Sequence, residues 1–153
     1  MQAFQVVTSP DIVDVLRHEH EHIRQLYTDV QRAGHDRKKH LLADLRQAVH
    51  LYQLGKLAVV HPAARNSGPD GDMIALACEA EGEDLERSLS ELSRLGVQHP
   101  HFDARFAALS GDLLDHAAHQ ERDELPLLRR YVPMQRLHMM ASAIQDVRIM
   151  ALD

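Results

Sequence analysis

A chain of 153 residues with 44% hydrophobic and 26% charged residues suits one domain around one core and is too short for two. Aromatics at 4%, no Trp, and an apolar set dominated by Leu, Ala and Met count against a β-sandwich or barrel and for an all-α fold. A net charge of −6, with the 17 Lys and Arg scattered, offers no surface for nucleic acid, and no apolar run reaches the ~18 residues of a membrane span.

The opening MQAFQVVTSP lacks a basic secretory stretch, and the single cysteine, Cys78, allows no internal disulfide; both are read as cytoplasmic. The first helix is predicted to open at Ser9-Pro10-Asp11, with Ser9 as the cap and Pro10 in the first helical position. Its seam is Val13, Leu16, His20, Ile23, Tyr27 and Val30, spaced alternately three and four apart. RAGHDRKK turns the chain. A second helix repeats the spacing with Leu42, Leu45, Val49, Tyr52, Lys56 and Val59, until Pro62 and NSGPDGD interrupt it. The third, from about Asp72 to Leu95, carries Ala75, Cys78, Gly82, Leu85, Leu89 and Leu92 and is closed by Gly96. A fourth aligns Phe102, Phe106, Leu109, Leu113, His116 and Gln120, with Asp123 next on that face, before Pro126. Beyond Pro133, Leu137, Met140, Ile144, Val147 and Ala151 make a fifth amphipathic stretch, which could cap the bundle or form a homodimer contact. The expectation is therefore one domain over 1–153. An up-down-up-down four-helix bundle spans about 9–131, followed by a C-terminal fifth helix over about 134–152.

Laid side by side, these seams bring His20, Tyr52, Lys56, Cys78, Gly82, His116 and Gln120 to roughly one depth, which makes an interior polar cluster. The segments EHEHIRQLY (Glu19 to Tyr27), VVHPAAR (Val59 to Arg65), EAEGEDLERSLSEL (Glu79 to Leu92) and HAAHQERDELPLLR (His116 to Arg129) resemble the hemerythrin-like, or HHE cation-binding, domains. The likeness extends over about 120 residues. It implies a four-helix bundle whose relatives bind a diiron centre through a His on helix one, an H-x-x-x-E pair on helix two, a His on helix three and a second such pair on helix four. In this sequence His20 and His116 match the histidines of helices one and four. Tyr52 stands at the helix-two His, Lys56 at its bridging Glu, Gly82 at the helix-three His and Gln120 at the second bridging Glu. With both bridging carboxylates replaced, one by a cationic side chain, neither an ordinary diiron site nor O2 transport is expected.

Tyr52 and Lys56 are four apart on one helix face, where an adjacent ammonium would favour the phenolate and make Tyr52 an acid/base. The plain alternative is a core tyrosine beside a lysine that reaches solvent. His20 and His116 are candidates for proton transfer or substrate contact; Gln120, Gly82 and Cys78 are candidates for substrate binding. Gly82 leaves space for a small molecule or for neighbouring side chains. His18, His22 and His50 lie off the seams and read as surface residues. If a metal is held, the expected ligands are His20, His116, His119, Tyr52 and Asp123, and the ion is iron or another single divalent metal. Three readings remain open. The first is a small-molecule pocket with metal-independent acid/base chemistry, such as isomerisation, cyclisation or dehydration. The second is a metal-binding protein for storage, sensing or peroxide chemistry. The third is a non-catalytic interaction module.

Overall fold

The computed structural model describes residues 9–152, and among them the chain is helical throughout, with short connections. Helix α1 (Ile12–Arg32) packs beside α2 (His35–Gly55), which continues through a π turn (Lys56–Val60) into α3 (His61–Arg65). Helix α4 (Gly71–Leu95) returns against α2 and α3, and α5 (Phe102–His119) runs through a second π turn (Gln120–Glu124) into α6 (Leu125–Tyr131). Helix α7 (Met134–Leu152) lies across α1 and α2, seating Leu137, Met140, Ala141 and Ile144 on the bundle. No helix among the described residues is long and apolar enough to cross a membrane.

The predicted seams of α1 and α4 are buried at every position, and Gly96 closes α4 with a φ of 91° that favours glycine. The cap of α1 differs from expectation. Asp11, not Ser9, is the N-cap: its carboxylate accepts from Asp14 N at 2.9 Å while Asp14 Oδ2 accepts from Asp11 N at 3.2 Å. The reciprocal carboxylate bonds satisfy two end-of-helix donors, and Arg129 bridges both acids from α6.

The prolines also act otherwise than expected. Neither Pro62 nor Pro126 ends its helix. A proline removes an N–H and crowds the carbonyl four residues back. Each helix widens just before it, so that His61 N bonds Lys56 O and Leu125 N bonds Gln120 O across five residues. The additional residue advances the buried face by one. Val60 is buried where Val59 was expected, and Glu124 where Asp123 was expected.

Candidate functional site

Both π turns begin at a site residue, Lys56 in one and Gln120 in the other, each six positions before its proline. The bundle centre therefore receives His20 from α1, Tyr52 and Lys56 from α2 and its π turn, and His116, Gln120 and Glu124 from α5 and its π turn; all six are buried.

Lys56 is fully buried and does not reach solvent. Its Nζ donates to His116 Nε2 at 2.7 Å and lies 4.1 Å from the centroid of the Tyr52 ring. His116 Nδ1 then donates to Glu81 Oε1 at 2.8 Å, which fixes the neutral tautomer. Burial, reinforced by the Lys56 charge, holds the His116 pKa down at about 2. Burial likewise draws Lys56 down to about 8, against the pull of Glu124. Glu81 also accepts from His119 Nδ1 at 2.7 Å, and His119 Nε2 faces Asp123 at 3.2 Å.

A second network adjoins the first. The Gln120 amide donates through Nε2 to Glu124 Oε1 at 2.7 Å, so its carbonyl points the other way and accepts from the Tyr52 hydroxyl. His20 Nε2 meets the same hydroxyl and lies 3.1 Å from Gln120 Oε1. With the tyrosine proton committed to Gln120, His20 carries its proton on Nε2. Its Nδ1 lies 3.3 Å from Glu121 Oε1 without making a hydrogen bond. Burial lowers the His20 pKa, and Glu121 offsets this only in part. Glu124 Oε2 is joined by His61 Nδ1 at 2.7 Å.

This geometry corrects the expected Tyr52–Lys56 chemistry. The ammonium sits over the ring face, not at the hydroxyl, and burial together with the Glu124 and Glu19 charges raises the Tyr52 phenol well above its usual value. The phenolate is disfavoured. Asp123 is also displaced from the centre, since the π turn leaves it partly exposed beside His119. The five expected metal ligands are thus divided: His119 and Asp123 pair with each other beside Glu81, His116 accepts from Lys56, and His20 and Tyr52 turn to Gln120. Among the described residues, no group of three or more His, Cys, Asp or Glu is arranged to hold a metal ion. His18, His22 and His50 are exposed.

A cavity of about 410 Å³ reaches the cluster from the side, walled by Ile23, Tyr27, Val49, Leu85 and Leu113, with His20, Tyr52, Gln53 and His116 on its inner surface. Its exposed residues Arg24 and Leu114 place the mouth between α1 and α5. Gln120, Gly82 and Cys78, the expected substrate contacts, do not line it. The space beside Gly82 is filled by the Gln53 amide, whose Oε1 lies 2.2 Å from where a Cβ would stand. Cys78 is wholly buried and its thiol is pushed up to about 12, first by burial and then by Glu124. On its other side His116 borders an open acidic cleft that includes Glu81, Asp112, Asp115 and His119.

Four participants were not singled out in the sequence. Gln53 lies off the α2 seam, and Glu81 is next to the seam glycine on α4. His61 and Glu124 come inward only through the π turns. The available signal was the common spacing of Lys56 to Pro62 and Gln120 to Pro126.

A bundle of this connectivity, with a fifth helix laid across it, has the hemerythrin-like fold. A crystal structure of a hemerythrin HHE cation-binding domain-containing protein from Mycobacterium kansasii superposes with a TM-score of 0.81, covering 94% of this chain and 91% of that one, at 20% sequence identity. No protein-family model matches the sequence, and no curated protein matches it.

Proposed function

We propose that this protein is a hemerythrin-like bundle that has lost the diiron site and uses its interior as a small-molecule pocket with acid/base capacity. The observation that carries the reading is Lys56, fully buried with its ammonium on His116 Nε2 at 2.7 Å. That nitrogen's lone pair is the one a metal would need, and a fixed positive charge beside it repels a cation. The carbonyl of Gln120 and the hydroxyl of Tyr52 both lie against His20 Nε2, which carries that ring's proton and so offers no lone pair on this side. These residues do not fit a pair of irons, and no step is assigned to one.

The same groups suit proton traffic. The chain Glu81–His116–Lys56 joins the acidic cleft to the bundle centre, while His20 and Tyr52 share a hydrogen bond on the cavity wall. In its other neutral tautomer, with the proton on Nδ1 toward Glu121, His20 would accept through Nε2 from Tyr52, so that tautomer exchange makes the pair a proton relay, with Gln120, oriented by Glu124, as the resting acceptor of the hydroxyl. Isomerisation, cyclisation or dehydration of an organic molecule would require no more than this. The cation-binding description of the M. kansasii protein comes with the fold, and iron or another divalent metal is the alternative.

Elemental analysis decides between them, using untagged protein from iron-supplemented cells purified without chelators. A metal-free protein that still binds apolar probes is the expected result. A diiron complement would overturn the proposal, and a single stoichiometric metal would favour the alternative.

A further inference from the structure

Gln53 is about 94% buried, and its side chain forms part of the cavity wall, yet its Nε2 has no hydrogen-bond partner among the described residues. An unmet buried donor is costly and is retained where something else supplies the acceptor. The amide also occupies a cradle. A Cβ at Gly82 would stand 2.2 to 2.6 Å from its Oε1, Cδ and Nε2, so only glycine at this position of α4 lets the amide lie where it does. The terminal torsion of glutamine is soft, so the N–H2 group can turn toward an acceptor in the cavity.

The rest of the cavity limits what that acceptor can be. Ile23, Val49, Leu85 and Leu113 are apolar and would not solvate a charge. Lys56 is off the wall and committed to His116, and Arg24 at the mouth pairs with Glu21. A carboxylate or phosphate would find no free cation at the inner end, with Glu121 close behind His20. A ligand hydroxyl would divide between this amide and the Thr28 and Ser110 hydroxyls of the same wall, whereas a carbonyl oxygen needs only a donor and meets Nε2.

We propose that the cavity takes an uncharged, largely apolar organic molecule through a carbonyl oxygen hydrogen-bonded by the Gln53 amide over Gly82. This inference rests on the small-molecule reading of the cavity and names its ligand class. Gln53 is the residue that selects the ligand.

The test uses 2-acetylnaphthalene and 2-ethylnaphthalene, near-isosteres that differ by the carbonyl oxygen, titrated into ¹⁵N-labelled full-length protein. The ketone should bind about tenfold more tightly than the hydrocarbon, with the Gln53 side-chain amide resonances moving only for the ketone. Gln53→Leu should bind both alike. Gly82→Ala, which displaces the amide without removing it, should also lose the preference and serves if Gln53→Leu does not fold. Equal binding of both probes by the unmodified protein would overturn the carbonyl inference and leave the cavity reading standing. A preference that survives Gln53→Leu and Gly82→Ala would remove Gln53 from recognition. Failure of both probes to bind would overturn the cavity reading and this inference with it.

Discussion

At the scale of single residues, Lys56 organises the centre. An ammonium with no solvent contact is offset by Glu124 and by the π face of Tyr52, and burial still brings its pKa from the ordinary 10.5 to about 8. Below pH 8 both folded and unfolded chains hold this proton, and its burial cost is constant. Between about 8 and 10.5 the folded chain has released it while the unfolded chain has not, so stability should rise with pH by up to about 3 kcal/mol. Urea denaturation of the native protein and of Lys56→Met across this range isolates the contribution. The native protein should gain relative to the variant as pH rises, and parallel profiles would show that the amine is not buried in its charged form. The position of Lys56 on the core face was legible from helical spacing alone. Its partner was not, because the depth at which a flexible four-carbon stem places its nitrogen depends on what surrounds it.

At the scale of elements, the two π turns decide which side chains meet. Regular periodicity assigns Asp123 to the interior; the added residue gives that place to Glu124, which joins Gln120 Nε2 and His61 Nδ1 at 2.7 Å each. Glu124→Ala would leave two buried groups without their acceptor and should cost about 3 kcal/mol. Asp123→Ala, which removes only partly exposed contacts to Arg122 and His119, should cost about 1 kcal/mol or less. Denaturant midpoints of the two variants would measure the phase of the helix directly, and the reverse order of cost would mean that no π turn exists at Gln120. A strict three-four count cannot detect an insertion that leaves the residues before it in register. For this reason the expected core face holds at Lys56 and Gln120 and is displaced immediately after each.

At the scale of the molecule, the bundle and its fifth helix were legible because the apolar seams are long and each turn carries its own breakers. What the spacing left open was whether the fifth helix closes the bundle. It does so within this chain: Ile144 is wholly buried, and its Cγ1 lies 3.0 Å from where a Cβ on Gly55 would stand, immediately before the first π turn. Arg148 of the same helix reaches Glu19, the neighbour of His20. Ile144→Ala should therefore lower unfolding stability by about 3 kcal/mol, read by thermal melts followed by circular dichroism. A cost below about 1 kcal/mol would show that the fifth helix is only loosely attached.

The interior ammonium also changes what the fold depends on. A bundle centred on a bound ion has a folding equilibrium that follows the free concentration of that ion, through mass action. Here the positive charge at the centre is part of Lys56 and arrives with the chain, one per molecule. Dilution cannot remove it and no chelator can compete for it.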